Sequence, residues 1–281
     1  MLEKNSKAAV AFIGPMVVAS VAITGLPLLY IIYISLGGAH FTFDAYAKLF
    51  GSALFLQSVA TTIKISLIGT LASLMLGWVI ALHLARQTPG RRAIYTILVL
   101  LPMWTSVLVK SFAFTVILGR TGIINSFLSW LLGHTIALPM ILNSFGVIIG
   151  MINQFIPFVV FPVLASLLAI DSSLYKAAEI MGAKPPRIFW TITLPLSLPG
   201  VIAGGFSVVV MSLGMFIIPS LLGSGKDSML ANLVDFYTRE VLDWIAAAAI
   251  GVLLLLMVLL LTIPSLWIRH RNALRGVASH G

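Results

Sequence analysis

The sequence predicts an all-α integral membrane protein with six transmembrane helices, and three observations carry that prediction. Of its 281 residues 60% are hydrophobic and only 9% are charged, with a mean hydropathy of +1.10. Soluble domains carry about 25% charged residues, so a soluble fold of this size could not cover its surface, and the apolar surface has to face lipid. Six stretches reach the roughly 20 mostly apolar residues that a bilayer-crossing helix needs. Finally, the basic residues segregate to one side of those stretches, as the positive-inside rule requires.

The spans are predicted near 8–36, 57–85, 93–118, 143–170, 196–222 and 245–268. Lys4 and Lys7 precede the first. That run exceeds the roughly 7–15 residues of a signal-peptide core, so it is expected to stay as an uncleaved span. Pro15, Pro27, Pro157 and Pro162 fall inside spans and are tolerated, because neighbouring helices re-satisfy the freed backbone groups. The segment 119–142 is apolar but interrupted by Gly133 and Pro139. It is expected to be partly interfacial, since a seventh span would reverse the basic bias of the tail. With the N-terminus in the cytoplasm, 11 of the 17 basic residues lie inside and four (Lys48, Arg120, Lys226, Arg239) outside. Asp44, Asp227, Asp235, Glu240 and Asp243 are outside. Both termini are then cytoplasmic, and with no linker in sight the whole of 1–281 reads as one transmembrane domain.

Composition also excludes functions. There are no cysteines, hence no disulfide, thiol catalysis or cysteine–metal site. The net charge of +9 is not gathered into basic stretches interleaved with aromatics, so nucleic acid is not indicated. Gly223-Ser224-Gly225-Lys226 invites a phosphate-loop reading that fails: the pattern needs Gly five positions before the Gly-Lys pair and Ser or Thr after it, and here Ser220 and Asp227 stand there. The histidines are too scattered for a metal site or a catalytic cluster. No paired carboxylates lie within the spans, which ranks a secondary transporter or channel lower.

The most informative stretch is 171–195. Asp171, Ser172 and Ser173 offer oxygens that cap a helix start. A short helix follows to Met181, Gly182 suits the left-handed position that ends it, and Pro185 and Pro186 begin a new helix. A helix–turn–helix elbow is expected here on the cytoplasmic side, either as a plain connector or as a surface for a partner.

This elbow resembles the cytoplasmic signature of the permease subunits of bacterial ABC importers: Glu-Ala-Ala, three residues, Gly, nine residues, then Ile-x-Leu-Pro. Ala177, Ala178, Gly182, Ile192, Leu194 and Pro195 match at the full spacing. Lys176 stands where that family has its glutamate, and Glu179, three residues on and on the same helix face, is a candidate replacement. Further segments (100–114, 193–205, 221–234, 242–249) are similar to the first of the two permeases of spermidine/putrescine importers. The resemblance implies a type I ABC importer permease in the bacterial inner membrane, with no catalysis of its own. Its elbow would dock in a groove of an ATPase subunit. Implied partners are a second permease in a heterodimer, two ATP-binding subunits that hold ATP and Mg²⁺, and a periplasmic substrate-binding protein. The implied solute is a polyamine or related amine; similar permeases carry opines, aminophosphonates or ferric iron.

Candidate contacts to the solute follow from polar residues in apolar surroundings. Lys64 and Lys110 are basic residues within the predicted spans, and intramembrane ionisable groups are functional hypotheses by default. Lys110 either snorkels, pairs structurally, or lines the path, where it would suit an anionic or zwitterionic solute or an acid of the partner. Asn153 and Gln154 either bond between helices or line the path. Trp104, Ser106 and Tyr237 are further candidates, since an aromatic face attracts an alkylammonium. Asp235, Glu240 and Asp243 give the last periplasmic loop an acidic character, and Asp243-Trp244 matches the pattern of the similar permeases.

Overall fold

The computed structural model describes the backbone of residues 2–278 and the side chains of 14–263. Lys4, Lys7, Glu3, Arg269, Arg271 and Arg275, on which part of the charge bias rests, lie outside the described side chains. The helices run α1 Leu2–Ser35, α2 Asp44–Phe50, α3 Ala53–Ala85, α4 Pro89–Trp104, α5 Val107–Leu118, α6 Ile123–Leu132, α7 Ser144–Leu168, α8 Ser172–Ile180, α9 Pro185–Ile188, α10 Leu194–Leu213, α11 Ile217–Leu222, α12 Leu230–Arg239 and α13 Trp244–Ala278. There is no strand among the described residues. Six helical stretches are long and apolar enough to cross a membrane: Gly14–Ser35, Ala53–Ala85, Val107–Leu132, Ser144–Leu168, Pro185–Leu213 and Trp244–Ile263.

Two predicted spans differ from what forms. The third, near 93–118, is not one helix: α4 stops at Trp104, Thr105 and Ser106 are extended, and α5 starts at Val107. Pro102 inside α4 removes an intrahelical donor, and the apolar count of the run cannot reveal that. The apolar stretch instead continues through Leu132, so part of 119–142 is helical. Asn125 closes that turn by donating to Gly119 O and Leu138 O and accepting from Leu138 N. The fifth span, near 196–222, ends at Leu213, and α11 is a separate short helix.

The chain divides into two compact units, Met1–Leu56 with Leu233–Gly281, and Gln57–Asn232. In the first, α1 and α2 both pack on α13, and Tyr46 Oη donates to Ser35 Oγ at 2.8 Å. Apolar residues of α1 from Met16 to Tyr33 stay exposed, as expected of a helix that meets lipid or another subunit.

The second unit is built around α7, whose Val147, Met151, Phe155, Val159, Val160 and Val163 are fully buried. α10 lies against it through small residues, the usual device where lipid supplies no hydrophobic drive. A Cβ on Gly200 would stand 2.4 Å from Pro162 O, and one on Gly77 of α3 would stand 2.7 Å from Val159 Cγ1. Those glycines set how closely the helices approach. At the end of α3, Arg92 donates to the carbonyls of Leu84, Ala85 and Gln87, and a cation there also complements the helix dipole.

Candidate functional site

The elbow forms as a capped helix and a tight turn. Asp171 Oδ1 accepts from Ser173 N at 2.8 Å, and that bond to the ionised form holds its carboxyl below the usual carboxylate range. At the other end Gly182 adopts φ +77°. Ala183 N donates to Ala178 O and Gly182 N to Glu179 O, both at 2.9 Å, the paired closure of a left-handed glycine stop. Nothing lies within 4 Å of a Cβ built on Gly182, so glycine is needed there for its backbone angle and not for space.

From Pro185 the chain is helical to Leu213, with a π-helical turn over Phe189–Thr193. Pro195 explains that turn: its ring would strike the carbonyl four residues back in a regular helix, and the wider turn swings that carbonyl away. The elbow is tied to the spans by Tyr175 Oη with Thr193 Oγ1 at 3.3 Å. Trp78 adds a bond to Ser197 Oγ and an edge contact with Phe189.

Of the motif residues, Ala177, Gly182 and Pro195 are exposed, while Ala178, Ile192 and Leu194 are half-buried. Lys176 and Glu179 are exposed and make no ion pair with each other among the described residues. Glu179 instead lines a cleft of about 480 Å³ under the elbow with Arg86, Ser172 and Tyr175. Ile180 and Met181 were not singled out by the sequence, yet they are 87% and 86% exposed at the tip. An apolar pair directly before the stop glycine was their signal.

A second group gathers at the α4–α5 break. Lys110 Nζ donates to Pro102 O at 2.6 Å and to Gln154 Oε1, so it ties the break to α7. Lys110 and Asn153 line an open groove of about 490 Å³ with Leu98, Leu101, Thr105 and Phe114. Trp104 is 70% exposed at the end of α4, and Ser106 precedes α5 without a side-chain cap.

The candidates on the other unit have local roles. Asp235 pairs with Arg239 at 2.6 Å across one exposed helical turn, worth little in water. Asp243 caps α13 by accepting from Ala246 N at 3.0 Å. Tyr237 and Asp243 line a cleft of about 330 Å³ with Asp44 and Lys48. Trp244 lines a different, apolar one with Tyr30 and Ile34. Glu240 is exposed.

One carboxylate departs from the expected acidic loop. Asp227 is 8% exposed and accepts from Ser144 Oγ, from Ser224 Oγ at 2.5 Å and from Ser224 N at 3.1 Å. Burial alone would raise its pKa, but these bonds, with Lys64 nearby, hold it below the usual range. Leu230 N adds a bond to Thr62 Oγ1 at 2.8 Å. The failed phosphate loop is therefore a capping box joined to α3 and α7; Ser224-x-x-Asp227 was its sequence signal.

Residues 73–273 match the family described as binding-protein-dependent transport system inner membrane component. The chain is 30% identical over 214 residues to the spermidine/putrescine transport system permease protein PotB of Salmonella typhimurium, covering 76% of this chain and 74% of that one. It is 31% identical over 266 residues to the Haemophilus influenzae protein of the same name, covering 92% of each. Among solved structures, a chain of a bacterial alginate ABC transporter in complex with an alginate pentasaccharide-bound periplasmic protein superposes with a TM-score of 0.75 at 19% identity, covering 92% of this chain and 93% of that one. At that identity the likeness is one of fold.

Proposed function

We propose, from the premise that the chain belongs to the inner membrane components of binding-protein-dependent transport systems, that it forms half of the path of an ATP-driven importer for a polyamine or related amine. It pairs with a second, similar permease and two ATPase subunits and takes solute from a periplasmic binding protein, with both termini in the cytoplasm. ATP and Mg²⁺ bind the ATPases. Opines, aminophosphonates and ferric iron are the alternative cargoes of the same architecture; the PotB likeness favours the amine.

The observation that carries this reading is the elbow. A capped helix presents Ile180 and Met181 outward and continues through a π turn into α10. A push on the tip is thereby delivered to a helix packed on the core of the unit. Alternating access then needs only that ATP bind the two states unequally, since a ligand shifts an equilibrium by its differential affinity.

Gly182 tests it. Gly182→Leu forces a side chain into a left-handed angle that costs an L-residue about 1–2 kcal/mol, so coupled uptake should fall roughly 5–30-fold while the chain still inserts. Gly182→Asn, which tolerates that angle, should fall less. Normal uptake and ATPase coupling in Gly182→Leu would contradict docking through this turn.

A further inference from the structure

We infer that the groove at the α4–α5 break takes an amine whose other end is an oxyanion, a carboxylate or phosphonate, and that Lys110 holds that oxyanion. This rests on the importer reading and narrows it within the amines.

Lys110 has three N–H donors. Two go to neutral oxygens, Pro102 O and Gln154 Oε1, which leaves one N–H and the whole positive charge. None of the six membrane-length stretches contains an Asp or Glu, and Lys110 has no ion pair among the described residues. A cation in a membrane-length stretch without a counter-charge is expensive and marks a pathway or a missing partner.

The groove also offers acceptors. The Asn153 side chain lines it and has no hydrogen-bond partner among the described residues. Pro157 and Pro102 lack N–H groups, so the carbonyls of Asn153 and Leu98 lose their ordinary helical donors. Between them lie Leu101, Ala113 and Phe114. A cation, the unpartnered Asn153 side chain and apolar neighbours, in about 490 Å³, match a short zwitterion. A carboxylate from the partner permease would satisfy Lys110 but supply no donor for the Asn153 side chain.

The probes are 4-aminobutanoate and 1,4-diaminobutane, which share an amine on a short chain and differ at the far end. They are titrated into the assembled permease–ATPase complex in nanodiscs without binding protein, so that the path itself is read. 4-Aminobutanoate should bind saturably, Lys110→Met should weaken it at least about tenfold, as expected for loss of a charge-assisted bond, and Lys110→Arg should keep most of it. Asn153→Leu should weaken it severalfold. Diamine binding should be unchanged or tightened by Lys110→Met.

Absent 4-aminobutanoate binding, or binding indifferent to Lys110→Met, overturns the inference. Absent binding together with failed permease pairing in Lys110→Met overturns it in favour of a partner carboxylate. Should Lys110→Met not assemble, Lys110→Arg and Asn153→Leu decide by the same criteria. Diamine uptake coupled to ATP by the complete importer, without zwitterion binding, would sink the inference and leave the proposed function standing; failure of the complete importer to couple uptake of either amine would sink that function.

Discussion

Two helix interruptions in the same unit are solved in opposite ways. At the elbow, Gly182 turns left-handed and the carbonyls of Ala178 and Glu179 accept from the backbone N–H groups of Ala183 and Gly182. No side chain is spent on the turn, and Ile180 and Met181 are left free at the tip. The α4–α5 break directly precedes the membrane-length stretch Val107–Leu132, and an unsatisfied carbonyl is costly wherever water is excluded. There Lys110 reaches back to Pro102 O and across to Gln154. The turn leaves two apolar side chains exposed at its tip, and the break is closed by a cation that has no ion pair among the described residues.

The contrast can be broken at its strongest point. Replacing Ile180 and Met181 together by Asp should reduce ATP-dependent uptake by about two orders of magnitude, because a desolvated carboxylate without a partner cannot enter an apolar contact. Membrane abundance should stay unchanged, and co-purification of the ATPase with the permease measures the loss directly.

A smaller effect is expected at the Ser224–Asp227 turn, which is closed by side chains like the break but presents no free group. Asp227→Asn should lower stability by about 1–3 kcal/mol, the range for hydrogen bonds to a buried charged acceptor, with uptake per folded complex little changed. The Asp227 pKa is lowered in the folded chain, so its contribution is fully present above the ordinary carboxylate pKa of 3.8 and is lost as pH falls through the lowered value. Thermal unfolding between neutral and acid pH should show that loss in the unaltered protein and less of it in Asp227→Asn.

Least of all is expected from Lys176→Glu, which installs the acid of the similar permeases. Lys176 is exposed and unpaired with Glu179, so uptake should change by no more than about threefold, the scale of a single exposed charge.

These sites were unequally legible in the sequence. The elbow was readable because its determinants are local: Asp171, Gly182 and Pro185 each impose a backbone state on their neighbours. Its π turn was not, because the clash behind Pro195 has several possible reliefs. The break at Thr105 was hidden because a proline inside an apolar run leaves the apolar count unchanged, and pairing Lys110 with Gln154, 44 residues on, requires the packed helices. Asp235 shows the reverse case: its pairing with Arg239 follows from their spacing alone, and an acid counted towards an attractive surface is already engaged. Membrane residence came from composition, and the chain is a non-catalytic multi-pass permease subunit of its family.

On the proposed function, the elbow tip is where this subunit meets its ATPase. The chain has no cysteine, so Met181→Cys carries the only thiol of this subunit, to which a thiol-linked photocrosslinker can be attached before the importer is assembled. Light should join it to the ATPase subunit in high yield, Arg120→Cys treated alike should not be joined, and the joined complex should stop transporting. Equal labelling from both positions, or crosslinking from Met181→Cys to lipid alone, would contradict it.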